Sequence, residues 1–182
     1  MMHRVAFLDR DGVINHDYGY VHKKSSFKYI ENAINAMSKL NSNGHKIIIV
    51  TNQAGIAKGH FTEDEYHYLT KWYVNELKKK KVEIFDIFFC PYHIDSKILK
   101  YKKDSFLRKP NPGMFFEAFS KYHIDKNNSF MVGDKVSDIK ASLAAGIKNN
   151  FLIANEPHKS EMLDKTKYVK SLSDAVNLVL KK

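Results

Sequence analysis

Two carboxylates one residue apart, Asp9 and Asp11, close the short apolar run Val5, Ala6, Phe7 and Leu8, and Gly12 follows them directly. A run of strand formers leading into acids and a glycine predicts a buried strand that ends in a tight turn, with both acids at its carboxyl end. In an open parallel α/β sheet that is the edge where ligands bind. Three further stretches carry reactive side chains at the ends of later elements. Thr51, Asn52 and Gln53 follow a second apolar run, Arg108, Lys109 and Pro110 precede a helix, and Gly133, Asp134 and Asp138 follow another apolar run. Taken singly, each has an ordinary structural reading: Thr51 as a satisfied hydroxyl at a strand end, Lys109 as a solvated charge, Asp138 as a first-turn acid favoured by the helix dipole. Their joint order outweighs those readings.

In this order and spacing the four stretches resemble the motifs of the haloacid dehalogenase-like phosphatases, over most of the chain. The resemblance implies that Asp9, Asp11, Asp134 and Asp138 meet at one sheet edge. Two like charges about 4 Å apart repel by roughly 4 kcal/mol at an effective dielectric near 20, so such a cluster needs a cation. A hard divalent ion with oxygen ligands, Mg2+ above all beside phosphate, suits it. Its expected ligands are the Asp9 and Asp134 carboxylates and the Asp11 main-chain carbonyl, with Asp138 bound directly or through water. The resemblance also implies roles: Asp9 as nucleophile on phosphorus, Asp11 as proton donor and then base, Thr51 as a holder of phosphoryl oxygens, and Lys109 as a positive charge against the transition state.

Helical spacing of Ile34, Met37 and Leu40 with Gly44 beyond predicts a crossover helix. Ile47 to Val50 predict the second strand. Thr51 to Ile56 read as a glycine-bearing loop, and Thr62 with Glu65 as a capping box opening a helix to about Lys80. Lys78 to Lys81 then read as solvated cations at that helix's carboxyl end rather than as a nucleic-acid tag. Ile84 to Phe89 predict a third strand, Asn111 a cap and Pro112 a first helical residue, Phe130 to Val132 a fourth strand, Phe151 to Ile153 a fifth, and Ser171 the start of a terminal helix. The alternation predicts a doubly wound parallel α/β sheet with right-handed crossovers.

The chain has 182 residues, 43% of them hydrophobic, and a formal charge of +10. That length predicts a single domain, which the resemblance makes one phosphatase domain over residues 1–182. The charge favours anionic partners, but the lysines are dispersed, which argues against a nucleic-acid stripe. Cys90 is the only cysteine, so an intrachain disulfide is excluded and a reducing compartment follows. With no apolar run near the length of a membrane span, a cytoplasmic protein is expected.

A narrower resemblance rests on Asp9-Arg-Asp-Gly-Val-Ile-Asn15, Gly19-Tyr-Val21, Thr51-Asn-Gln-Ala-Gly-Ile56, Cys90-Pro-Tyr-His93 and Arg108-Lys-Pro-Asn-Pro-Gly-Met114. These stretches are similar to the D-glycero-D-manno-heptose 1,7-bisphosphate phosphatase family, with much shared by histidinol-phosphate phosphatases. The resemblance implies no large cap domain and three loops about the site, here Asn15 to Tyr29, Gly55 to Phe61 and Cys90 to Leu107. It also implies a sugar bisphosphate substrate, met by Tyr20, Asn52, Gln53 and Arg108. Many members bind zinc through four ligands in the third loop. Cys90 and His93 are present here, but Asp104-Ser-Phe-Leu107 supplies no second pair, so no structural zinc is expected. A small sugar phosphate is the expected partner of a monomer, with no membrane or nucleic acid. A polynucleotide 3′-phosphatase and a non-catalytic binding protein with this fold are the alternatives.

Overall fold

In the first strand, β1 (Val5–Leu8), all four side chains are buried, yet they divide between two cores. Val5 and Phe7 pack on one face of the sheet, and Ala6 and Leu8 on the other. This is the period of two that a strand covered on both sides imposes. The same division recurs in β2 (Lys46–Asn52), where Ile47 and Ile49 face one layer and Ile48 and Val50 the other.

The computed structural model describes residues 2–154, 163 and 165–181. Further strands are β3 (Ile84–Cys90), β4 (Phe130–Gly133), β5 (Asn149–Ile153) and β6 (Thr166–Val169). The sheet order is β3-β2-β1-β4-β5-β6, and every neighbouring pair is parallel. The chain therefore winds outward from β1 in both directions. The carboxyl ends of β1 and β4 flank the point where the winding reverses, the crevice where ligands bind in such sheets.

Helices α1 (Ala33–Ser42), α3 (Glu63–Lys79) and α6 (Leu172–Leu180) cover one face, and α4 (Gly113–Lys121) and α5 (Val136–Ala144) the other; α2 (Ala54–Ala57) is a single turn. The end of α1 is set by Gly44 at φ +78°, with His45 N–H donating to Leu40 O and Gly44 N–H to Asn41 O. This is a Schellman closure, which favours glycine at the left-handed position. At the start of α3, Thr62 Oγ1 accepts from Glu65 N–H at 3.1 Å while Thr62 N–H donates to Glu65 Oε2 at 2.8 Å, the expected capping box.

The structure departs from the sequence reading in three places. A sixth strand, β6, extends the expected five. Thr51 and Asn52 continue β2 rather than opening a loop, and Ala54–Ala57 wind into a turn of helix. Pro112 is the cap of α4 and Gly113 its first residue, one position later than expected. Of the three expected loops, the third holds a short 3-10 turn, Leu99–Tyr101, and a bridge between His93 and Lys102.

Candidate active site

Asp9 leaves the carboxyl end of β1 almost fully buried, and the Lys109 ammonium reaches it from the segment before α4. Lys109 Nζ stands 3.1 Å from Asp9 Oδ1 and 2.7 Å from Asp138 Oδ1, and donates to Val50 O at 2.7 Å. All three partners are buried with it. A buried ammonium with its donors spent on two carboxylates and a carbonyl is held in one place. Burial works to lower the Lys109 pKa, but Asp138 and Asp9 hold it above the usual lysine value.

Asp134 follows β4 and closes the group. Ligand oxygens of Asp9, Asp134 and Asp138 lie within 4.8 Å of one another, the one such group of three or more acids, histidines or cysteines among the described residues. Two glycines make the approach possible. A Cβ on Gly12 would run into the Asp134 carboxylate, and one on Gly133 into Asp138. Gly12 also stands at φ +79°, where other residues are strained.

The three carboxylates are not equivalent. Asp138 Oδ1 meets Lys109, and its Oδ2 accepts from Lys135 N–H at 2.9 Å. Asp134 Oδ1, by contrast, is buried without a hydrogen-bond partner. An orphaned carboxylate oxygen beside a second carboxylate, in an all-oxygen donor set, fits a hard divalent cation. The electrostatics agree. In the metal-free site burial pushes Asp9 up to about 7, with Lys109 opposing and the neighbouring acids adding to the rise. Burial likewise raises Asp134 to about 6, against the pull of Lys135.

Asp11 points elsewhere. Its carboxylate takes a fork from Arg10, with Nη2 at 3.0 and 2.8 Å and Nε at 3.2 Å, and accepts from Asn15 Nδ2 at 2.8 Å and Gln53 Nε2 at 3.2 Å. Gln53 Nε2 also donates to Thr51 Oγ1 at 2.9 Å, joining the two expected catalytic side chains. Arg10 is held in turn by Val21 O at 2.7 Å. Asn52 uses both ends of its amide on the Lys109 main chain, and these contacts position the lysine.

Asp9, Asp11, Thr51, Asn52, Gln53, Lys109 and Asp138 line a cleft of about 610 Å3 that also takes in Tyr20, Lys58, Arg108 and Lys135. Tyr20, at φ +53°, stacks on His60 with ring centres 4.1 Å apart, and its hydroxyl meets Lys58 Nζ at 3.0 Å. Arg108 Nη1 is buried with no partner. Lys135 Nζ meets Asp17 Oδ2 at 3.1 Å, tying the first loop to the head of α5. Every expected site residue thus lies among the acids or on the lining of the cleft, Asn52 with its amide bonded to the Lys109 main chain. Arg10, Asn15, Lys58 and Lys135 belong to the site as well but were not singled out from sequence. An arginine between two aspartates was a signal for the first; the others lie in loops whose course the sequence left open.

In the third loop Cys90 is buried, and its Sγ lies 3.9 Å from Tyr92 O. His93 Nδ1 accepts from Asp95 N–H at 3.1 Å. Ser96 Oγ donates to Ala57 O at 2.6 Å, and Tyr101 packs with Ile56, Phe61 and Tyr66, so the loop is tied to α2 and α3.

The sheet order and the acid-lysine site define a haloacid dehalogenase-like phosphatase fold. A family model described as polynucleotide kinase 3 phosphatase matches residues 4–175. A D-glycero-alpha-D-manno-heptose-1,7-bisphosphate 7-phosphatase of Photorhabdus laumondii is 49% identical over 158 residues, 87% of this chain and 86% of that one. A D-glycero-beta-D-manno-heptose-1,7-bisphosphate 7-phosphatase of Pasteurella multocida is 41% identical, covering 98% of this chain and 97% of its own. The crystal structure of a D,D-heptose 1,7-bisphosphate phosphatase from B. bronchiseptica, complexed with magnesium and phosphate, superposes with a TM-score of 0.84 at 23% identity, covering 98% of each chain. The chain belongs to the heptose-1,7-bisphosphate 7-phosphatase family.

Proposed function

We propose that the chain is a Mg2+-dependent phosphatase that hydrolyses heptose 1,7-bisphosphate to the heptose 1-phosphate. The observation that carries this reading is the bonding of Lys109 to Asp9 and Asp138 beside the orphaned oxygen of Asp134. The near full-length relatives named for this reaction support the sugar.

Asp9 and Asp134 supply carboxylates for the cation, and Asp11 its main-chain carbonyl. The Asp138 side chain is engaged by Lys109 and Lys135, which suits an outer role. When bound, the ion neutralises phosphoryl charge and polarises the reacting phosphorus. The Asp9 carboxylate attacks that phosphorus to give an aspartyl phosphate. Asp11, gripped by Arg10, Asn15 and Gln53, protonates the departing sugar oxygen and then takes a proton from the water that frees Asp9. Thr51 and nearby N–H groups hold the phosphoryl oxygens, while Lys109 balances charge from a fixed position. Gln53, Arg108 and Tyr20 line the cleft around the substrate's remainder.

Residues 1–182 are read as one domain working as a monomer in the cytoplasm on a small sugar phosphate. Supporting that, all described strands join one sheet, and no helix among the described residues is long and apolar enough to cross a membrane. The test is phosphate release from heptose 1,7-bisphosphate, histidinol phosphate and a DNA 3′-phosphate end, with Mg2+ and with chelator. The bisphosphate should be preferred, chelator should stop turnover, and Asp9→Asn should abolish it in a folded protein. Preference for either other substrate, or an active Asp9→Asn, overturns the reading.

A further inference from the structure

A second cavity, of about 640 Å3, lies at the opposite edge of the sheet, where β4, β5 and β6 begin with Phe130, Asn149 and Thr166. Its size falls within the range of small-molecule sites. Four cationic side chains line it, Arg4, Lys148, Lys165 and Lys167, and among the described residues no carboxylate does. Among the described residues none of the three lysines is drawn into an ion pair. Asp125, in the loop that leads to this edge, has its carboxylate taken up by Asn127 N–H, Asn128 N–H and Asn128 Nδ2. Four like charges around a concavity with low-dielectric walls focus a positive potential into it.

The floor is apolar and aromatic. Phe130 and Phe151 meet edge to face with ring centres 5.8 Å apart, and Leu178 and Val179 of α6 extend the wall. His45, at 5% exposure, packs its ring on Phe130 at 5.6 Å and lines the same cavity. Its Nδ1 is buried with no hydrogen-bond partner in the protein. Such a group carries a desolvation cost unless something meets it. Burial and the Arg4 charge hold His45 below the usual histidine range, so its imidazole is neutral near pH 7 and keeps one nitrogen able to donate and one able to accept.

We propose that this cavity binds a small phosphorylated ligand with a flat, largely apolar portion, of the nucleoside phosphate class. The rim cations meet the phosphates, the ring system lies along Leu178 and Val179 above the buried Phe130 and Phe151, and His45 Nδ1 hydrogen-bonds a polar edge of that ring. The site is separate from the catalytic cleft. It shares one strand with it, since Phe130 opens β4 and Asp134 follows the end of that strand, about 13 Å away along the chain.

Calorimetric titration of the full chain with ATP and with inorganic pyrophosphate, both in chelator so that nothing is turned over, tests this. ATP should bind saturably with a Kd below about 1 mM and at least about tenfold more tightly than pyrophosphate. Lys148→Gln with Lys167→Gln should weaken ATP by about tenfold or more, and His45→Phe should weaken it too, with para-nitrophenyl phosphate turnover in Mg2+ unchanged in the lysine variant. Arg108→Ala should leave ATP binding as it was. Absence of saturable ATP binding overturns the proposal. So does equal binding of pyrophosphate, which would leave the apolar floor unused, or loss of binding in Arg108→Ala, which would put the nucleotide in the catalytic cleft.

Discussion

Asn52 grips the main chain of Lys109 from both sides, Nδ2 donating to Lys109 O at 3.0 Å and Oδ1 accepting from Lys109 N–H at 3.1 Å. The last residue of β2 thereby fixes the height at which the Lys109 ammonium enters the cleft. Asn52→Ala should lower kcat by about ten- to a hundredfold, the penalty of a misplacement near 1 Å, with KM little changed. Steady-state kinetics on the bisphosphate check this. A raised KM with kcat intact would instead make Asn52 a direct substrate contact.

Proton competition should govern metal loading. In the metal-free site Asp9 rests near 7 and Asp134 near 6, both raised by burial above their values in an unfolded chain. A carboxylate binds a cation only when ionised, so the proton that these acids hold below those values must leave first. The Mg2+ concentration for half-maximal activity should therefore rise as pH falls from 8 to 6. The sign for stability is the reverse: raised acid pKa values mean that the folded, metal-free protein binds protons more readily than the unfolded one. Its melting temperature should fall as pH rises through 6 to 7, and Mg2+ should restore it at pH 8. Melting curves with and without the ion, across that range, decide both.

How far the sequence disclosed all this differs by element. Burial on both faces writes itself as an unbroken apolar run, so β1 with the acids that follow it, and the apolar part of β2, were legible. The Thr62 cap and Gly44 closure were legible because their side-chain chemistry is local. The last strand was not: β6 is Thr166, Lys167, Tyr168 and Val169 at the sheet's edge, where only Val169 is buried, and a half-exposed edge strand carries no apolar run. Asn52's grip on Lys109 and Lys135's tie to Asp17 join residues 57 and 118 positions apart, and no local pattern encodes such pairs.

The loop from Cys90 to Leu107 should keep its shape without zinc. Its ties are the Ser96 bond to Ala57, the His93 N–H bond to Tyr101 O at 3.1 Å, and the packing of Tyr101 against Ile56, Phe61 and Tyr66. Cys90→Ser should leave the zinc content near zero and cost activity little, whereas Tyr101→Ala should destabilise the loop by about 3 kcal/mol or more through lost packing. Elemental analysis showing close to one zinc per chain, lost in Cys90→Ser, would contradict this.

Arg108 should carry the discrimination between substrates. It neighbours Lys109 and lines the cleft, and its Nη1 is buried with no partner in the protein. A guanidinium grips a second phosphate through two parallel bonds, whereas Lys58 and Lys135 at the same cleft act as point charges already drawn to Tyr20 and Asp17. A remote phosphate held equally in ground and transition states only lowers KM, while one that orients the sugar raises kcat too. Arg108→Ala should therefore lose about a hundredfold in kcat/KM on heptose 1,7-bisphosphate, the worth of a charge-assisted pair, and less than about threefold on para-nitrophenyl phosphate, which has no second phosphate to hold. Equal losses on both substrates would mean that Arg108 acts on the transferred phosphoryl group itself.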